Sequence, residues 1–136
     1  FADPYGLHFD FKTVSRIAQR RSDLIILMAD NMDALRNWAA YYRDNPNSTL
    51  DRFMGEPGWR DIMQGASPGK QAERLRSRYF ERLASLGYQH FAFERIQNTQ
   101  GGDLYSLVYA SRSKVGLEFW NKVASVDEGG QRSLFP

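Results

Sequence analysis

The chain contains no cysteine, which excludes disulfides, thiolate metal sites and a cysteine nucleophile within it. It has only two histidines, His8 and His90, too few for a convincing metal site, so no metal ligands are assigned. No G-x-S-x-G nucleophile motif is present, and no G-x-G pattern of the kind that cradles a dinucleotide or adenosyl cofactor. No apolar run approaches membrane-spanning length and no secretory signal is visible, so no membrane partner and a cytoplasmic location are expected. The chain also lacks a methionine at position 1 and opens in a strand-like stretch. It therefore reads as a fragment of a longer protein.

At 136 residues, with 42% hydrophobic content, the chain is long enough for one core and one domain. Its net charge is only +2, yet fourteen of its eighteen basic residues are arginine, the side chain best suited to bidentate contacts with phosphate or carboxylate. That balance permits a nucleic-acid partner without requiring one.

The opening Phe1-Ala2-Asp3-Pro4-Tyr5-Gly6-Leu7-His8-Phe9 reads as a strand ending in a shaped loop. Pro4 biases Asp3 towards an extended conformation and Gly6 permits a sharp turn. A helix from Asp10 to about Arg21 follows, with Phe11, Val14, Ile17 and Ala18 on one face. Asp23 to Ala29 is a nearly continuous apolar run, as in parallel strands buried on both faces. Asp30-Asn31-Met32-Asp33 should then be a loop on the same sheet edge as Asp3-Pro4-Tyr5-Gly6, so Asp30 and Asn31 are candidate substrate contacts. Ala34 to Arg43 reads as a helix whose Trp38, Tyr41 and Tyr42 serve as core or as a base-stacking platform.

Residues 48–67 form a helical excursion of two short turns. Ser67-Pro68 starts a long helix that stops at Gly87, with Leu75, Tyr79, Leu83 and Leu86 as its buried stripe. Lys70, Arg74, Arg78 and Arg82 repeat every four residues along another strip, with Arg76 to the side. This strip is either phosphate-facing or a solvated face partly neutralised by Glu73 and Glu81. Tyr88 to Gln97 and Leu104 to Ala110 read as an antiparallel hairpin around Asn98-Thr99-Gln100-Gly101-Gly102-Asp103. Ser113 caps a last helix burying Leu117, Trp120, Val123 and Ala124, and 127–136 is a tail that docks on the domain or on a partner.

The resulting order is strand, helix, strand, helix, excursion, helix, strand, hairpin strand, helix. It resembles the C-terminal half of a class I S-adenosylmethionine-dependent methyltransferase, an α/β Rossmann-like sheet of about four strands, two parallel plus an antiparallel hairpin. The resemblance implies a spatial order of first, second, fourth, third, with the fourth strand antiparallel to its neighbours. Asp3-Pro4-Tyr5-Gly6 is similar to the acid-proline-aromatic motif of adenine and guanine amino-methyltransferases, where the acid and a neighbouring carbonyl orient the target amino group and the aromatic stacks on the base. Asp3, Pro4 and Tyr5 would then be catalytic and Gly6 would contact substrate.

A closer resemblance rests on Asp3-Pro4-Tyr5-Gly6-Leu7, the strand Asp23 to Leu27, Tyr109-Ala110-Ser111, Gly116-Leu117-Glu118-Phe119-Trp120 and Gly130-Gln131-Arg132-Ser133-Leu134-Phe135. Together these look like the C-terminal half of the bacterial three-Cys-motif partner proteins. That implies a nearby-encoded three-Cys-motif protein as partner and S-adenosylmethionine as cofactor of the full-length parent, bound upstream of Phe1. The chain alone would be inactive. The alternative is a non-catalytic nucleic-acid or protein binding module of the same fold, using the arginine strip and the hairpin.

Overall fold

The computed structural model describes residue 1 and residues 7–125. All but Phe1 of the expected first strand, its Asp3-Pro4-Tyr5-Gly6 loop and the whole 127–136 tail lie outside these residues. Helix α1 (Phe11–Ile17) leads to strand β1 (Leu24–Met28), followed by two π-helical turns (Asp30–Leu35 and Trp38–Tyr42). Helices α2 (Thr49–Met54), α3 (Trp59–Met63) and α4 (Pro68–Ala84) come next, then strands β2 (His90–Gln97) and β3 (Asp103–Ser111) and helix α5 (Lys114–Ala124).

The strands form a three-stranded sheet ordered β1-β3-β2, with β3 antiparallel to both neighbours. β1 was expected to pair in parallel and to be buried on both faces. Instead, its one neighbour among the described residues is the antiparallel β3, and Leu24, Ile26 and Met28 are buried while Ile25 and Leu27 are half-buried. The strand that would run parallel to it falls among residues not described.

Directly opposed residues share a face in an antiparallel ladder. Leu24, Ile26 and Met28 of β1 therefore lie beside Ala110, Val108 and Ser106 of β3 and Phe91, Phe93 and Arg95 of β2. This face meets α4, where Phe80 stacks on Phe91 with ring centroids 5.1 Å apart. The opposite face carries Tyr109, which stacks on Trp120 of α5 at 5.0 Å and 6°. Asn98 ties off the hairpin: its backbone donates to the Gly102 carbonyl and its side-chain oxygen accepts from the Gln100 and Gly102 amides.

The excursion at 48–67 is held to α4. Ser48 and Asp51 form a capping box at the start of α2, and the same carboxylate accepts from the Trp59 indole and pairs with Arg60. Arg60 also donates to the Tyr42, Arg43 and Asn45 carbonyls, binding the second π-helical turn to α3. Of the aromatics there, Tyr42 is buried, Trp38 packs edge-on against Trp59 at 5.5 Å, and Tyr41 is half exposed.

Two helix faces depart from expectation. α1 ends at Ile17, whose side chain is 37% exposed, while Ala18 in the following turn is buried. On α5, Trp120 is buried but Val123 is 44% exposed, beside the still more open Val115 and Phe119. The short α5 turns its deepest contact, Trp120, onto Tyr109, which leaves Val123 on the flank away from the sheet.

Candidate functional site

The segments that follow β1 and open α4 meet at the end of the sheet. Asp30, the first residue of the first π-helical turn, is fully buried. Its Oδ1 accepts from the Asn31 backbone at 3.0 Å and, at 3.4 Å, from the Asn31 side-chain amide. Its Oδ2 accepts from Ser106 Oγ at 2.6 Å and from Arg76 Nη1 at 3.1 Å. Arg76 Nη1 also donates to Ser106 Oγ at 3.1 Å, and the guanidinium lies over the Phe93 ring at 3.9 Å. A buried ion pair persists only when the remaining lone pairs of its carboxylate are met, and here both Asp30 oxygens accept hydrogen bonds.

Burial pushes the Asp30 carboxyl above its ordinary value, while Ser106, Arg76 and the Asn31 amide pull the other way. Beside this cluster a recessed cavity of about 90 Å³ is lined by Asn31, Gly69, Ala72, Arg76, Arg95, Asp103 and Ser106. Asp30 thus reaches the cavity through Asn31 and Arg76 rather than with its own oxygens. Asn31 is itself part of the lining.

The arginine strip of α4 is not an open row of cations. Lys70 pairs with Glu73 at 2.9 Å. Arg74 donates to the Ile62 carbonyl, and Arg78 pairs with Glu56 and Glu81. Arg82 donates to the Met54 and Gly55 carbonyls and stacks over Phe11. The fourfold spacing aligns them on the face that meets α2 and α3, so Arg74, Arg78 and Arg82 fasten the excursion to α4. Asp3, Pro4, Tyr5 and Gly6 lie outside the described residues.

Arg76 was expected only to the side of the arginine strip, and Ser106 only within a strand, neither as a site residue. The signal for Arg76 was present: it stands four residues after Ala72 and three before Tyr79, both buried, so a charged side chain occupies the inward stripe. Ser106 gave a weaker one, a polar residue two positions from Val108 on the inward face of β3.

A second polar cluster lies on the opposite sheet face, beneath α5. Asp23 accepts from Tyr109 Oη at 2.6 Å and Ser111 Oγ at 2.8 Å. Burial, reinforced by Asp23, pushes the Tyr109 hydroxyl up to about 12. A Cβ on Gly116 would lie 2.5 Å from Tyr109 Oη, 2.6 Å from Ser111 Oγ and 2.7 Å from Asp23 Oδ2. The short stretches Asp23 to Leu27, Tyr109-Ala110-Ser111 and Gly116 to Trp120 therefore meet at a joint that seats α5, where close approach requires glycine.

A wider groove of about 570 Å³ runs between α1 and α2, but its acids are committed: Asp51 to Arg60, Glu56 to Arg78, and Asp10 to Arg52 at 3.7 Å. Among the described residues no cluster of three or more histidine, cysteine or acidic side chains could hold a metal ion, and no helix is long and apolar enough to cross a membrane. The left-handed glycines at 55, 65, 87 and 101 sit in turns, and none forms a strand-to-helix loop suited to S-adenosylmethionine. These residues do not fit the cofactor by themselves. No protein-family model matches the chain, and no curated protein or solved structure matches it at a significant level.

Proposed function

We propose that this chain is the acceptor-facing, C-terminal part of an S-adenosylmethionine-dependent methyltransferase acting on an amino group, with a nucleic-acid base as acceptor. The observation that carries the reading is the strand order β1-β3-β2 with β3 antiparallel between two strands that run parallel to each other. It agrees with the second, fourth, third order that the methyltransferase resemblance implies. In this reading the cofactor is held by residues upstream of this chain, and the present residues deal with the acceptor.

Asp3 accepts a hydrogen bond from the amino group, the backbone around Pro4 supplies a second acceptor, and Tyr5 stacks on the base. Orienting the nitrogen lone pair towards the transferred methyl group is the service required, and a carboxylate acting only as acceptor needs no raised pKa for it. Asp30 serves the adjoining loop by anchoring Asn31 and Arg76. The parent acts in the cytoplasm, with a three-Cys-motif protein encoded nearby as partner.

The alternative of a non-catalytic binding module has less support, because the cations it would use at Arg74, Arg78 and Arg82 already serve the α2–α3 excursion. Replacing Asp3 with alanine in the parent should abolish methyl transfer while leaving cofactor affinity unchanged. Undiminished turnover in that variant would remove Asp3 from the reaction.

A further inference from the structure

We propose that the cavity between the end of β1 and the start of α4 is an oxyanion site that takes a phosphate group, with Arg76 as its central donor. The Arg76 side chain is only 7% exposed, yet only Nη1 is committed, to Asp30 and Ser106. A guanidinium carries five N–H donors in a rigid fork. Nε and Nη2, with three of them, make no hydrogen bond or ion pair among the described residues, and the guanidinium lines the cavity. Asp30 and the Phe93 ring fix its plane, so the uncommitted edge is preorganised for a planar or tetrahedral anion.

The rest of the lining favours the same ligand. Arg95 adds a second cation, and its side chain is 58% exposed, free to turn inward. Asn31 brings an amide, and Gly69 belongs to a first helical turn that neither the Ser67 side chain nor an acidic residue caps. Asp103 is the opposing group: it lines the cavity and lies 4.0 Å from Arg95, so an anion must draw Arg95 away from it. A volume of about 90 Å³ suits a single phosphate but not a nucleoside. The phosphate is thus either a free ion or mononucleotide group, or a backbone phosphodiester whose sugar and base remain outside. The site stands on this chain's own residues and goes beyond the methyl-transfer reading.

The test is an NMR titration of the 136-residue chain with inorganic phosphate. Saturable shifts are expected at Asn31, Gly69 and the Nε signals of Arg76 and Arg95. Arg95→Gln should weaken binding about tenfold, the loss of one charge-assisted contact. Arg76→Lys keeps a cation beside Asp30 but removes the planar edge, and should abolish binding. Asp103→Asn should strengthen it. Competition then separates the sources: displacement by a single-stranded oligonucleotide indicates a phosphodiester, and displacement by a 5′-mononucleotide alone indicates a small phosphate ligand. Either supports the site. A folded chain with no saturable shifts at these residues, or shifts indifferent to Arg95→Gln and Asp103→Asn, overturns it. A failure to bind S-adenosylhomocysteine bears on the methyltransferase reading alone.

Discussion

Replacing Gly116 with alanine should destabilise the protein, although in an exposed helix the same change is favourable. Alanine exceeds glycine in helix propensity by about 1 kcal/mol. Here the new methyl group would meet Tyr109 Oη at 2.5 Å, Ser111 Oγ at 2.6 Å and Asp23 Oδ2 at 2.7 Å, where the two hydroxyls donate to the two oxygens of the Asp23 carboxylate. Relieving the clash means either shifting α5 off the sheet, an overpacking cost of about 1–3 kcal/mol, or breaking a bond to the Asp23 carboxylate, worth about 1.5–3 kcal/mol. The propensity gain offsets only part of this, which leaves a net loss of about 1 kcal/mol. Equilibrium urea unfolding measures it directly. Gly69→Ala is the matched control, because a Cβ there meets nothing within 4 Å, and it should be neutral or stabilising by up to about 1 kcal/mol. A Gly116→Ala variant as stable as the parent would refute the joint at Asp23, Tyr109 and Ser111.

Three further outcomes follow from the buried polar groups. Tyr109 has a folded-state pKa raised to about 12 from 10.0, so its contribution is present below pH 10 and is lost as pH rises towards 12. Tyr109→Phe should therefore lower stability at neutral pH and flatten the loss above pH 10, read by unfolding at a series of pH values; an unchanged alkaline slope would contradict this. At Asp51 burial works against the charge, but Arg60, the Ser48 amide and hydroxyl and the Trp59 indole outweigh it and hold the carboxyl below 3.8. Its stabilisation is present above that value and lost as pH falls below it, so Asp51→Asn should remove part of the acid-induced change in Trp59 fluorescence, and an identical acid transition would contradict the assignment. Arg76→Met should cost about 3–5 kcal/mol by stranding Asp30, whereas Arg76→Met with Asp30→Asn should cost distinctly less; equal losses in a denaturant double-mutant cycle would deny the pair.

The parts of the fold legible from sequence are those set by local chemistry. Asn98-Thr99-Gln100-Gly101-Gly102 between two β-rich runs specifies a hairpin, and Ser67-Pro68 followed by Leu75, Tyr79 and Leu83 specifies α4. The two turns of the 48–67 excursion also formed as expected. The π-helical turns did not declare themselves, because an i to i+5 hydrogen bond leaves no periodicity in a stretch as short as Asp30–Leu35. The α4 arginines could be placed on one face by spacing alone, but their acceptors, the carbonyls of Met54, Gly55 and Ile62 and the Glu56 carboxylate, lie 12 to 28 residues away. Within the site, Asp30 and Asn31 were visible as residues at the end of a strand. Arg76 and Ser106, brought to Asp30 across 46 and 76 residues, depend on how the sheet and α4 pack.

The central claim, that this sheet belongs to a methyltransferase whose acceptor end is contributed by the present chain, is tested most directly by calorimetric titration of S-adenosylhomocysteine into the parent protein. The account predicts saturable binding that survives Asp3→Ala. Absence of binding to a parent shown to be folded by its circular dichroism would contradict it.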